Sequence, residues 1–168
     1  MLRLVAKVEA VVRVFGRLAA WTCLALVLLV AGDVLARYFF RAGTIWLQEL
    51  EWHLIPPIAL LGMSYMLLHG EQVRVDVLYE RYPPRAKAVV EIASGLLLCA
   101  FSLIMIKLAL PFVLQSYRIG ESSPNPGGLP HRYILKAFIP SGFALLALQS
   151  ACHVVKNLAV AAGRARPE

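Results

Sequence analysis

Charged residues are so sparse along this chain that four apolar runs stand out by eye. Residues 18–36 carry a single charge, Asp33, and residues 52–68 carry none. A third run covers about 88–114, with Glu91 near one end and Lys107 near the other, and a fourth covers 137–155. About 20 apolar residues suffice to cross the hydrocarbon core of a bilayer. In lipid each backbone N–H and C=O must find its partner within the element, so runs of this kind form helices. The pattern therefore predicts an all-α membrane protein, a single four-helix transmembrane domain over residues 1–168. Pro56, Pro57, Pro111 and Pro140 lie within or near the spans. The Pro56-Pro57 pair is expected to kink the second helix near its start or to tighten its first turn. The first run follows a basic stretch, as a secretory signal does, but it is longer than a signal's apolar core and reads as an uncleaved anchor.

Residues 2–17 follow a different pattern. At 100° per residue, Leu4, Val5, Val8, Val11, Val12 and Phe15 gather on one face, and Arg3, Lys7, Glu9, Arg13 and Arg17 on the other. That segregation predicts an interfacial amphipathic helix, lying among the headgroups ahead of the first span, rather than a plain extension of it.

Composition narrows the class further. Of the 168 residues, 60% are hydrophobic and 16% charged, where a soluble domain carries about a quarter charged. The net charge of +7 does not point to nucleic acid, because the basic residues sit between apolar runs instead of on one soluble face. Their distribution predicts orientation. Eleven lie on one side: Arg3, Lys7, Arg13, Arg17, Arg74, Arg81, Arg85, Lys87, Lys156, Arg164 and Arg166. Four lie on the other: Arg37, Arg41, Arg118 and Arg132. Both termini are then cytoplasmic, and the loops near Arg41 and Pro124 face outward. Cys23, Cys99 and Cys152 all fall in apolar runs without metal-ligand spacing and read as small packing residues.

Few side chains suggest chemistry. Asp33 and Arg37 stand four apart near the end of the first span, where they can form a local intramembrane ion pair. Lys107 can snorkel to the interface along its own stem. Glu49 and Glu51 open the second helix beside Trp46 and Trp52, where acids suit the helix dipole and tryptophans the headgroup belt. These acids could also pair with Arg37 and Arg41 across the short outer loop, or with basic groups of a partner subunit. His53 and His131 fall near outer helix ends, and His69 and His153 near inner ends. A four-helix membrane cytochrome b would use one pair per side for haem. Because His131 lies in a Gly-Pro loop and His69 at a basic edge, the histidines are read instead as interfacial polar groups. No phosphate-binding, zinc or hydrolytic motif occurs, so neither an enzyme nor a cofactor is expected. A small multidrug antiporter would need a carboxylate deep in the membrane, and Asp33 and Glu91 both lie near edges. The stretch Ser122-Ser123-Pro124-Asn125-Pro126-Gly127-Gly128-Leu129-Pro130 is rich in turn formers, and an ordered loop of this kind suits docking of another protein.

Taken in order, several of these pieces resemble a known family. They are Arg37-Tyr38-Phe39-Phe40, then Trp46-Leu47-Gln48-Glu49-Leu50-Glu51-Trp52, His69, and Val73-Arg74-Val75-Asp76-Val77-Leu78. Ser123-Pro124-Asn125-Pro126-Gly127-Gly128-Leu129-Pro130 and Ile139-Pro140-Ser141-Gly142-Phe143 follow. Together they resemble the small permease subunit of tripartite ATP-independent periplasmic (TRAP) transporters, the DctQ family. The Pro-Asn-Pro-Gly-Gly-Leu-Pro stretch looks like the branch labelled for mannitol or chloroaromatic compounds. The resemblance implies a bacterial inner-membrane subunit that scaffolds a large multi-span permease, with a periplasmic solute-binding protein as third component and sodium-driven uptake of an organic acid or related small solute. Candidate contacts with those partners are Arg37, Glu49, Glu51, Trp52, Ser123, Pro124, Asn125, Pro126, Gly127 and Gly128. The small subunit of a tripartite tricarboxylate transporter is the nearest alternative.

Overall fold

The computed structural model describes residues 2–41, 43–72, 79 and 82–161. The Val73-Arg74-Val75-Asp76-Val77-Leu78 motif, and Arg74, Arg81, Arg164 and Arg166 from the charge count, lie outside the described residues. Every element among those described is a helix: α1 (Leu2–Phe40), α2 (Ile45–His69), α3 (Pro84–Arg118) and α4 (Arg132–Ala161). Three are long and apolar enough to cross a membrane, over Arg3–Phe40, Ala86–Arg118 and Arg132–Ala161. The fourth, α2, has 25 residues but is diluted by Glu49, Glu51, His53 and its two prolines. It continues as helix through Pro56 and Pro57.

The element expected at residues 2–17 is not separate from the first span. α1 runs unbroken for 39 residues, about 58 Å at the helical rise of 1.5 Å per residue. Its buried face overlaps the expected apolar one only in part, sharing Val5 and Val12 and turned round the helix toward Glu9. Val5, Glu9, Val12, Gly16 and Ala19 form the buried line, at the three- and four-residue spacing that stacks side chains on one face. Leu4, Val11 and Val14 stay exposed. Glu9, assigned above to the solvated face, is turned inward because Lys156 of α4 meets its carboxylate at 2.6 Å.

α2 and α4 pack together at the centre, with α1 against α2 and α3 against α4. α4 has the most continuous buried face, including Phe143, Leu145, Leu146, Gln149, Ser150 and Cys152. One apolar cluster joins Ala19, Leu61 and Leu145, with Phe15 and Phe138 packed on it. A second joins Leu67, Phe143 and Leu146, with Leu98, Met105 and Ile106 of α3 packed against it. The buried Ser64 and Ser150 hydroxyls bond within their own helices, to the Leu61 carbonyl at 2.9 Å and to that of Ala147 at 3.0 Å, so neither oxygen faces apolar neighbours unpaired. The contacts sort the bundle into two ends. Glu9 with Lys156, and Glu91 with His153, mark the terminal end. The start of α2 and the segment 119–131, joined through Glu49, lie at the other, the loop end.

α2 and α4 touch where Gly142 meets Leu60. A Cβ at Gly142 would stand 2.6 Å from Leu60 Cβ and 2.8 Å from the Leu60 carbonyl oxygen, and backbone cannot rotate aside. Gly62, by contrast, faces open space. Gly142→Ala is therefore expected to destabilise the chain by about 1–3 kcal/mol through forced separation of the helices. Gly62→Ala, which only restricts the unfolded backbone, should stabilise it by about 0.5–1 kcal/mol. Thermal unfolding of the two variants in detergent checks the opposite signs.

Candidate functional site

The loop end is organised around one carboxylate. Glu49 sits in the first turns of α2, just before the apolar run, and is 2% exposed. Its partners come from the α3–α4 loop, more than 70 residues further along the chain. Ser123 Oγ and Asn125 Nδ2 donate to Glu49 Oε1, the latter at 2.9 Å, and the Leu129 backbone N–H donates to Oε2 at 2.7 Å. Both oxygens are thus filled by neutral donors.

The loop is built to deliver those donors. Asn125-Pro126-Gly127-Gly128 forms a tight turn with proline at its second position and Gly127 at φ 79° in the third. The Gly128 N–H closes it on the Asn125 carbonyl at 3.0 Å. Proline followed by a positive-φ glycine is what a type II turn requires. The Ser123 N–H reaches the Leu129 carbonyl at 3.1 Å, and the Asn125 N–H reaches Ser123 Oγ at 3.2 Å. Gly128 is pressed against the carboxylate: a Cβ there would lie 2.4 Å from Ser123 Oγ and 2.7 Å from Glu49 Oε1. Pro124, Pro126, Gly127 and Pro130 remain exposed around the outside.

The donors hold the Glu49 carboxyl far below the usual carboxylate range, at about 2. The Ser123 hydroxyl contributes most, then the Leu129 N–H and the Asn125 amide. Burial opposes them, and the charge of Arg132 adds a little. Glu121, at the start of the same loop, is lowered mainly by the Lys136 ammonium bonded to it. That ammonium also lies 4.0 Å from the centre of the Phe112 ring. The Arg132 N–H returns to the Glu121 carbonyl at 2.9 Å and closes the loop's base.

On the neighbouring side of α2, Gln48 serves the other loop. With its amide carbonyl facing α1, Gln48 Oε1 accepts from Arg37 Nη2 at 2.6 Å and Nη1 at 2.9 Å. Arg37 also donates to Asp33, one turn back on α1 and only 4% exposed. The idea that Glu49 and Glu51 pair with Arg37 and Arg41 across the short loop is thereby corrected. Glu49 points about 100° round the helix from Gln48, toward the other loop, and Glu51 forms no ion pair among the described residues. Trp52 is 59% exposed. Of the candidate contact residues, the structure joins Glu49 to Ser123, Asn125 and Gly128 and joins Arg37 to Asp33; Glu51 and Trp52 stand apart from both groups.

A second polar cluster, at the terminal end, escaped the sequence reading. Glu91 is 8% exposed; it accepts from Tyr79 Oη at 2.6 Å and lies 2.8 Å from His153 Nε2. Glu9 and Lys156 lie on α1 and α4 at the same end. The only signal in the sequence was two acids placed on faces that prove to be buried.

Comparison with known proteins decides what kind of chain this is. Residues 26–160 match the family described as tripartite ATP-independent periplasmic transporters, DctQ component. The chain belongs to the DctQ family. It is similar to the ectoine TRAP transporter small permease protein TeaB of Halomonas elongata, with 24% identity over 155 residues that cover 92% of this chain and 76% of TeaB. As a DctQ protein it is a transporter component and not an enzyme. It is a multi-pass protein of the bacterial inner membrane that works with a large permease subunit and a periplasmic binding protein. The tricarboxylate-transporter and cytochrome alternatives gain no support from these matches.

The clasp makes a testable statement about pH. Because the folded-state value of Glu49 lies below its ordinary 4.5, its contribution is complete above about 4.5 and is lost as pH falls toward about 2. In Glu49→Gln the amide NH₂ must face Asn125 Nδ2 or the Leu129 N–H, donor against donor. Amide exchange at Leu129, corrected for intrinsic rate, should quicken roughly tenfold or more in the variant. The gap between variant and parent should hold steady from neutral pH to about 5 and close in stronger acid.

Proposed function

We propose that this DctQ chain is the static scaffold of its transporter, and that the α3–α4 loop is a preformed docking surface facing the periplasm. The observation that carries this reading is the Glu49 clasp, which holds the loop in shape without any partner. A loop ordered beforehand loses little conformational entropy on binding, and its exposed rim of Pro124, Pro126, Gly127 and Pro130 is available for contact. Glu49, Ser123, Asn125 and Gly128 then act from behind, as the frame of the surface. Arg37, Glu51 and Trp52 extend the contact area toward the large permease or the binding protein. The transported solute is an organic acid or a related small solute such as the ectoine of the TeaB system, taken up with sodium. The Pro-Asn-Pro-Gly-Gly-Leu-Pro sequence keeps the mannitol or chloroaromatic branch as the working subgroup.

The topology proposed with it has four spans and both termini inside. The basic-residue count supports it, and so does the sorting of helix ends into a terminal end and a loop end. The helix of 25 residues in α2 exceeds the length needed to cross the hydrocarbon core. The first turns of α1 continue the first span into the inner headgroup region, where Arg3, Lys7 and Arg13 meet anionic lipid. Few intramembrane charges and no pair of broken helices are found among the described residues, which suits a subunit that leaves ion and solute sites to its partner.

Reporter fusions at the C-terminus and within residues 124–130 are expected to give opposite signals, and like signals would overturn the four-span topology. Replacing residues 124–128 by a polar linker, or Glu49 and Glu51 by lysine, should lower uptake and complex yield severalfold in cells while membrane levels of the chain stay normal. Full uptake by both variants at normal levels would leave the loop a mere helix connection.

A further inference from the structure

At the loop end, beside the clasp, α1 and α2 form a shallow cleft lined by Arg37, Arg41, Gly43, Thr44, Ile45 and Gln48. We propose that this cleft is a binding site for the phosphate of a membrane phospholipid headgroup. Four features of the site support the assignment. The first is a fixed cation. The Arg37 guanidinium is held from behind by Asp33 and Gln48 through Nη2 and Nη1, yet its side chain is still 42% exposed. A guanidinium has five donors in a rigid fork; the Nε–H and one Nη–H are not used in those contacts. Gly43 lines the cleft beside this group, where an added Cβ would stand 3.5 Å from Arg37 Nε.

The second feature is a second cation. Arg41 follows the last turn of α1, is exposed, and forms no ion pair among the described residues. The third is the start of α2. Thr44 precedes it in an extended conformation but makes no side-chain cap bond, so the first amide groups of α2 point outward without that acceptor. Those amides carry the positive end of the helix dipole. Since Asp33 offsets one of the two arginines, the cleft is left with one net positive charge, which matches a singly charged phosphodiester.

The fourth feature separates a lipid from an acidic protein chain. The ends of the two helices that flank the cleft are strongly apolar: Tyr38, Phe39 and Phe40, encircling the last turn of α1, are 79%, 68% and 80% exposed, and Trp46 of α2 is 47% exposed. Aromatic side chains of this kind settle at the headgroup level of a bilayer. A cationic cleft with an aromatic collar takes a headgroup and the upper part of its acyl chains together, whereas an acidic peptide would leave the collar bare.

The test uses the assembled transporter, small and large subunits together, titrated with phosphatidylglycerol in detergent and read by native mass spectrometry. Arg41→Gln should weaken binding about fivefold, the scale of one arginine beside a lipid headgroup, and Arg37→Gln with Arg41→Gln should weaken it further. Arg118→Gln, at the same end of the bundle but outside the cleft, should leave it unchanged. The single Arg41 variant is decisive, because Arg37 also supports Asp33. Equal affinity in the parent and Arg41→Gln overturns the proposal. Glycerol phosphate competing as strongly as the whole lipid would make this a free-anion site and reject the membrane source. If Arg41→Gln instead weakened capture of the periplasmic binding protein with lipid affinity intact, the cleft would be a carboxylate site, and the lipid assignment would fall.

Discussion

A carboxylate sealed away from water must either give up its charge or collect hydrogen-bond donors. At Glu49 the donors win, and much of the loop end follows from that. The residue sits where α2 begins, so the groups that satisfy it have to come from another part of the chain. They come from Ser123, Asn125 and Leu129 in the α3–α4 loop. Presenting two side-chain donors and a backbone N–H to one carboxylate fixes the path of that loop. The Pro126-Gly127 turn and the missing side chain at Gly128 are the local consequences, because a bulkier residue at position 128 would fill the space the carboxylate occupies. One turn of α2 thereby locks both connections at this end, with Gln48 reaching the α1 side and Glu49 the α3–α4 side.

The rest of the bundle keeps its ion pairs at the two ends and packs mostly apolar or small residues between them. Coulomb and hydrogen-bond terms gain strength where water is excluded, so a few well-placed pairs hold the ends in register. Glu91 with Tyr79 and His153, and Glu9 with Lys156, do at the terminal end what Glu49 does at the loop end. Between them, α2 and α4 approach closely because Gly142 lets the Leu60 backbone in. Close backbone approach over small residues is how helices associate in lipid, where there is no hydrophobic drive between apolar surfaces. α1 and α3 flank this pair and leave broad apolar faces outward, Leu24, Val27 and Leu28 on α1 and Leu97, Phe101 and Ile104 on α3. A molecule with polar pairs at its ends and apolar flanks suits the scaffold role proposed above.

Much of this was legible from residue pattern alone. The four apolar runs became four helices, each extended beyond its run by polar turns, since helical hydrogen bonding does not stop where hydropathy falls. Glu49 and the Ser123-to-Pro130 stretch were both marked as unusual, Glu49 as an acid in a first turn and the loop as rich in turn formers. Their union was not legible, because no periodicity relates residues more than 70 positions apart. The helix at residues 2–17 misled for a related reason. Its apolar and charged arcs are real, but which arc is buried depends on what the other helices offer. Lys156 of α4 offers a countercharge, so the line through Glu9 and Val12 turns inward and Leu4 and Val11 turn out. A single helical wheel contains no information about that countercharge.

The choice of a charged clasp over an apolar one has a consequence for recognition. An apolar contact between Glu49's position and the loop would tolerate sliding, because dispersion has little direction. Hydrogen bonds to two defined carboxylate oxygens do not, since they weaken steeply as their angles open. Serine, asparagine and a backbone amide, none of them charged, supply the donors, so the clasp adds no cation that would compete for a partner's acids. The negative charge is consumed inside, and the outside of the loop shows proline rings and glycine backbone. The loop end therefore separates two jobs that the sequence places side by side. Glu49 sets shape from within, and the neighbouring Arg37 and Arg41 carry the charge that is still open to the surroundings. On the reading proposed above, recognition at this end rests on a rigid loop surface next to a small cationic cleft.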